Sequence, residues 1–212
     1  MNQIYPSRQS RSAILLGSPV EIGPSLCHNR RNMSLSLWTL GHSTRQIDEF
    51  IGLLRAHQIS LLVDVRTVPR SRYNPQFNTD TLGQSLRDAG LHYRHLPKLG
   101  GLRKPKNDSL NEGWRNASFR GYADYMQTEE FQRALEELMA YSSDKKTAIM
   151  CAEAVPWRCH RSLIADALVS RGWDSLHIMS PEKATPHVLT SFAHFEKGTL
   201  TYPKPTDPPS LF

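Results

Sequence analysis

Residues 150–161, Met-Cys-Ala-Glu-Ala-Val-Pro-Trp-Arg-Cys-His-Arg, gather two of the three cysteines of the chain with an acid, a histidine and two arginines. Such a set can supply a nucleophile, a proton carrier and an anion clamp. Three chemistries are open to Cys151 and Cys159. As buried thiols they are inert small hydrophobes. As thiolate ligands, with His160 and either His42 or Glu153, they suit zinc or iron. Against that, seven residues separate them, and the adjacent Cys159 and His160 diverge by roughly 100° on a helix. As a nucleophile or redox thiol, Cys159 at a helix amino-terminus beside His160 and Arg161 has its pKa lowered. The phosphatase spacing of cysteine, five residues and arginine is not met, since six residues separate Cys151 from Arg158.

Other polar groups follow the ends of earlier apolar runs. Gly41-His42-Ser43-Thr44 follows one run; Asp64-Val65-Arg66, then Pro69-Arg70-Ser71-Arg72-Tyr73, follows the next. Strands running parallel would bring His42, Asp64, Arg66, Cys151 and Glu153 to one crevice, at the carboxyl edge where open α/β sheets bind ligands. Each piece has a plainer reading. Ser43 with Gln46 three residues on reads as a helix capping box. Asp64 reads as the partner of Arg66, and Glu153 as the partner of Arg158 or Arg161. A cation in a first helical turn, as Arg161 is, answers a bound anion or a carboxylate. Arg66, Arg70, Ser71, Arg158 and Arg161, with Ser43, are therefore candidate substrate-binding groups. Cys151, Glu153, Cys159, His160, His42 and Asp64 are the catalytic candidates. A second basic cluster (Arg94, Lys98, Arg103, Lys104 and Lys106) is expected to flank the same crevice, with Gly100-Gly101 admitting a phosphate close to the backbone. Basic loops interleaved with aromatics suit a nucleotide or nucleic-acid strand.

The elements that must position these groups alternate. Strands are expected at 35–40, 60–65, 92–96, 147–150 and 175–178, from short apolar runs. Ile47, Phe50, Ile51 and Leu54 mark one helix face, and further helices are expected at 80–89, about 118–127, 129–141 and after Cys159. Alternation of this kind implies an α/β fold: one domain over 34–200, a mainly parallel sheet of about five strands, and helices on both faces. Residues 1–33 read as a disordered extension, with Met33 a candidate start, and 201–212 as a loose Pro-rich tail. Tyr122, Tyr125 and Met126 read as core.

Composition sets the outer bounds. Hydrophobic content of 39% and charged content of 22% are those of a globular domain. No apolar run approaches the roughly 20 residues of a membrane span, so no membrane partner is expected. Three cysteines point away from a disulfide framework and toward a reducing cytoplasm. The net charge of +6 falls to +3 without residues 1–33, which hold four arginines and one glutamate. Local clusters, not bulk charge, carry the case for an anionic small molecule or nucleic acid. The chain has no Walker loop, dinucleotide fingerprint or His-Glu zinc helix. An enzyme on a phosphate-bearing nucleotide or nucleic acid, hydrolase or transferase, is the first expectation. A non-catalytic nucleic-acid binder and a Cys/His metal or redox sensor are the alternatives.

Taken together, Leu40–Thr44, Asp64–Arg66 with Pro69–Ser71, Leu99–Gly101, Tyr122–Met126, Cys151–Glu153 and Cys159–Arg161 resemble the family called domain of unknown function 488. The resemblance runs from about Leu37 to Ile178. It implies a single cytosolic α/β domain in bacteria, with no general activity assigned and an occasional DNA-repair label. The recurrent polar positions of the family would fall on His42, Ser43, Asp64, Arg66, Arg70, Ser71, Cys151, Glu153, Cys159, His160 and Arg161.

Overall fold

The computed structural model describes residues 35–205; the 1–33 extension lies outside them. In chain order the elements are β1 (Ser36–Gly41), α1 (Ile47–Ala56), β2 (Leu61–Asp64), α2 (Thr79–Asp88), β3 (His92–His95), α3 (Ala117–Met126), α4 (Glu129–Ser142), β4 (Thr147–Cys151), α5 (Arg161–Val169), β5 (Asp174–Ile178), β6 (Ala184–Pro186), β7 (His194–Glu196) and β8 (Thr199–Thr201). The main sheet has six strands in the order β3-β2-β4-β1-β5-β6. The first five run parallel, and β6 adds antiparallel to β5. Strands β7 and β8 form a separate hairpin.

Local chemistry explains the elements. Strand β4 (Thr-Ala-Ile-Met-Cys) is buried at every position, as a central parallel strand covered on both faces must be. Helix α1 buries Phe50, Ile51, Leu53 and Leu54 along one stripe. The Thr128 hydroxyl caps α4 by accepting from the Phe131 N–H, and Glu129 and Glu130 occupy its positive first turn. Gly90, at φ +76°, ends α2.

Two apolar clusters cover the sheet, one on each face. Helices α1 and α2 close Leu40, Leu62, Ala148 and Met150. Helices α3, α4 and α5 close Leu37, Leu61, Val63 and Ile149, and Tyr122, Tyr125 and Met126 belong to this core. Thus β1 and β2 lead into helices on one face while β4, between them, leads into α5 on the other. Chain leaving adjacent strands in opposite directions opens a crevice at their carboxyl ends.

Three expectations change. Gln46, not Ser43, is the cap residue of α1, and its side chain makes no capping bond. Ser43 instead takes φ +50°, and its N–H donates to the Ala152 carbonyl across the crevice. The sheet gains β6, whose three residues carry no alternation to read. The tail does not begin at Thr201, which closes β8. Tyr202 is fully buried, donating its N–H to Asn111 Oδ1 and its hydroxyl to Asp166.

Candidate active site at the carboxyl edge of the sheet

Strand register brings the sequence candidates together. Gly41 pairs with Cys151, and Asp64 with Met150, so His42, Arg66 and Cys151 leave the sheet side by side. Behind them opens a cavity of about 510 Å³. His42, Ser43, Arg66, Arg70, Ser71, Cys151, Glu153, Cys159 and His160 line it, joined by Thr44, Thr67, Val68, Asn74, Gly101, Leu102 and Ala152. Asp64, Arg158 and Arg161 do not reach it.

The floor is built from thiols and one buried cation. Arg161 is 1% exposed. Its Nε–H donates to Cys151 Sγ at 2.9 Å, its Nη2 to the Glu153 carbonyl at 2.8 Å, and its Nη1 to Thr39 Oγ1 at 3.3 Å. Its backbone N–H, opening α5, points at Cys159 Sγ at 3.5 Å. The cation in the first helical turn is therefore answered from within, by sulfur and carbonyl groups. Gly41 permits this packing, since a Cβ there would lie 1.6 Å from the Glu153 carbonyl oxygen.

Cys151 and Cys159 form a coupled pair. Burial raises the Cys159 thiol, but the hydrogen bond from Cys151 and the charge of Arg161 outweigh it and bring the group down to about 7. Burial and the bond given to Cys159 push Cys151 well up. The pair thus loses its first proton at Cys159 and keeps the second. His160 Nδ1 lies 3.6 Å from Cys159 Sγ, and its Nε2–H donates to the Val65 carbonyl at 3.3 Å. That bond orients the ring with Nδ1 toward sulfur; burial lowers its pKa. A thiol, an imidazole nitrogen facing it and a fixed second nitrogen make a nucleophile–base arrangement.

One wall is a buried ion pair. Arg66 donates from Nε and Nη2 to both oxygens of Asp64, the closest at 2.6 Å, and from Nη2 to the Phe77 carbonyl. Asp64 also accepts the Tyr93 hydroxyl. Arg66 Nη1 reaches His42 Nε2 at 3.2 Å, and His42 Nδ1–H donates to the Ser43 carbonyl at 2.8 Å. Burial drives the His42 pKa down to about 4, so the ring is neutral at pH 7. Both its nitrogens are occupied, which suits it to hold Arg66 and Ser43 rather than to carry protons. The left-handed turn at Ser43 has the same origin, since it aims that carbonyl at the ring.

The mouth is lined by Arg70 and Glu153, both exposed, and by Ser71 and Asn74. Ser71 shapes its own loop, accepting the Asn74 N–H on Oγ. Glu153 makes no ion pair among the described residues; its carbonyl, not its carboxylate, meets Arg161. Arg158 is exposed on the turn Pro156–Arg158, outside the cavity.

The second basic cluster does not flank the cavity. Arg103 stacks over Tyr125 and Arg94 over Tyr141, each as a cation on an aromatic face. Only Gly101 and Leu102 of that loop line the wall, and the close approach at Gly100 serves Thr67, whose Oγ1 would lie 2.3 Å from an added Cβ. Among the described residues no group of three or more His, Cys, Asp or Glu side chains could hold a metal ion. The candidate thiolate site for zinc or iron thus lacks its ligand set.

The same family emerges from comparison with known sequences: its profile, Domain of unknown function DUF488, matches residues 46–168, more than half of the chain. The chain belongs to the DUF488 family. Among curated proteins and among solved structures nothing matches it. The matched DUF488 region spans α1 to α5 and contains Asp64, Arg66, both cavity cysteines, His160 and Arg161, whereas His42 stands just before it. Among the described residues no helix is long and apolar enough to cross a membrane.

Residues that sequence reasoning passed over complete the surroundings. Thr39, His177, His187 and Asp166 continue inward from Arg161 as a buried polar chain. The signal for them was a lone Asp166 among Leu163, Ile164, Ala165, Ala167 and Leu168, since a buried acid requires partners.

Proposed function

We propose that this DUF488 protein is a thiol-dependent enzyme, a hydrolase or transferase, acting on a phosphate-bearing nucleotide or nucleic acid. The observation that carries this reading is the Cys159 thiol, brought to about 7 at the floor of a cavity lined by Arg66 and Arg70. A thiol with that pKa is substantially thiolate at neutral pH, the reactive form. Guanidinium groups match phosphate oxygens in geometry and charge. Exposed Val68 and Leu102 beside them offer apolar contact for a base. A volume of about 510 Å³ falls within the roughly 300–1,000 Å³ of small-ligand sites.

The chemistry balances on the residues present. The Cys159 proton passes to His160 Nδ1, and Sγ bonds to the electrophilic centre of the substrate. The leaving group departs with its electron pair and takes the proton from His160. Water, or an acceptor hydroxyl, then gives a proton to His160 and attacks the same centre, and the thiolate leaves. Glu153, a carboxylate at the mouth, is available to help activate that second nucleophile.

The test is alkylation of Cys159 by iodoacetamide across pH 5–10, followed by mass spectrometry of its peptide, with and without mononucleotides or a short oligonucleotide. The expected result is a rate that rises with a midpoint near 7 and falls when a phosphate-bearing ligand occupies the cavity. A reactive thiol that no such ligand protects would sink the phosphate reading.

A further inference from the structure

Arg161 is an expensive way to fill a core. Removing a guanidinium from water costs several kcal/mol, recovered only where partners surround it. Those partners extend well beyond the site. Thr39 Oγ1, on the central strand β1, contacts both Arg161 Nη1 and His177 Nδ1, the latter at 2.7 Å. His177 Nε2 lies 2.9 Å from His187 Nδ1, and His187 Nε2 lies 2.7 Å from Asp166 Oδ1. Asp166 also accepts the Thr190 N–H, the Thr190 hydroxyl and the Tyr202 hydroxyl.

With both rings neutral, the bonds between the two ends run in a single direction. A carboxylate only accepts, so His187 carries a proton on Nε2, and in a neutral ring its Nδ1 is then bare. His177 must then donate from Nε2, which leaves its own Nδ1 bare for the Thr39 hydroxyl. Thr39, having donated, accepts from Arg161, which can only donate. The chain Arg161 to Thr39 to His177 to His187 to Asp166 is thus polarised in one sense, from a fixed cation to a fixed anion. Burial, with the charge of Arg161, lowers His177 to about 4, consistent with a neutral link.

We propose that Thr39, His177, His187 and Asp166 are positioning residues that hold the Arg161 guanidinium against the Cys151–Cys159 pair and so set the reactivity of the nucleophile. The inference rests on the thiol-nucleophile reading above and extends it to residues that never touch substrate. A merely structural polar chain would affect only stability. A positioning chain also affects how readily the thiol pair ionises. Other groups acting on the pair are His160 ahead of α5 and Tyr122 from α3, while His42, after β1, is felt by Arg161 and Arg103 acts on His160. Substitution along the chain leaves all of these in place.

The experiment compares the alkylation–pH profile of Cys159 in the full-length wild type, Thr39→Val and Thr39→Ser. Valine keeps the shape of threonine and removes the hydroxyl; serine keeps the hydroxyl. Thr39→Val is expected to move the midpoint upward by about one unit, slowing alkylation below the midpoint by roughly tenfold, and Thr39→Ser to restore it. A Thr39→Val profile that superimposes on wild type, even with a lower melting temperature, overturns the relay alone. A wild-type Cys159 that titrates as an ordinary thiol overturns the nucleophile reading and the relay with it. Should Thr39→Val fail to fold, His187→Gln is read instead, at the half-buried far end, with an upward shift again expected and an unchanged profile again fatal.

Discussion

Acidification from pH 6.5 to pH 4 is expected to remove much of the stability of the fold through two histidines. His42 and His177 are nearly inaccessible to solvent, and burial lowers each from 6.5 to about 4. Each has both ring nitrogens engaged, and in each the unprotonated nitrogen accepts a bond, from Arg66 at His42 and from Thr39 at His177. A proton added there would face the donor it displaces. Between pH 6.5 and 4 the unfolded chain binds these protons and the folded chain does not, so stability is complete above 6.5 and is lost as the pH falls toward 4. Near pH 5 these two groups alone should take up close to two protons on unfolding, a slope of about 2.5 kcal/mol per pH unit. Over the whole window each histidine accounts for about 3 kcal/mol, a large share of the roughly 5–15 kcal/mol typical of a domain. Urea unfolding at half-unit intervals from pH 7 to 4.5 measures the slope. His42→Gln and His177→Gln should each reduce it by about 1.2 kcal/mol per pH unit, because each removes one titrating group. A wild-type slope that survives undiminished in both variants would refute the assignment and move the acid sensitivity to the carboxylates.

Other perturbations test the site more directly. Gly41→Ala inserts a Cβ 1.6 Å from the Glu153 carbonyl and 2.9 Å from Arg161 Nη2; forced separation of β1 from the 151–154 loop should abolish the rapid alkylation of Cys159 and lower the melting temperature. Arg66→Ala leaves Asp64 buried without its cation, at a cost of roughly 3–5 kcal/mol, measurable by urea unfolding at pH 7; a loss under about 1 kcal/mol would mean that the pair is dispensable. Cys151→Ala removes the donor to Cys159 and should raise the midpoint of the Cys159 alkylation profile. Tyr202→Phe deletes one of the donors to Asp166 and should cost about 1–2 kcal/mol, showing in denaturant unfolding that the segment after β8 belongs to the fold.

Strands β1, β2 and β4 were legible as short apolar runs ending in a polar turn, whereas β3 (His-Tyr-Arg-His) is no such run. The helices were legible from their stripes, α1 through Phe50, Ile51 and Leu54 and α4 through Phe131, Leu135 and Leu138. The cavity wall was legible too, since parallel strands deliver whatever follows them to one edge. Other features rest on information that a linear reading lacks. Arg161 and Arg158 are both arginines beside a helix start, and only the backbone path sends one inward and the other to solvent. Asp64 and Arg66 look alike as site candidates, although the carboxylate is hidden behind the guanidinium. Ser43 fits a cap by composition, but its backbone is committed to Ala152 and His42. His177 and His187 stand ten residues apart in a stretch without periodicity, and their pairing depends on β6 turning back against β5.

The strand order has a consequence for how the molecule comes to exist. β1 and β2 are the first strands made, yet they are not neighbours; β4, more than eighty residues beyond β2, fills the slot between them. Until it enters, an emerging chain has no continuous sheet to complete, and loop closure over that distance delays the step. Because β4 carries Cys151 and the segment after it carries Cys159, His160 and Arg161, its insertion joins β1 to β2 and assembles the thiol site in one event. A partly folded chain would therefore have ordinary thiols, and rapid alkylation of Cys159 at neutral pH would report completed folding as well as reactivity.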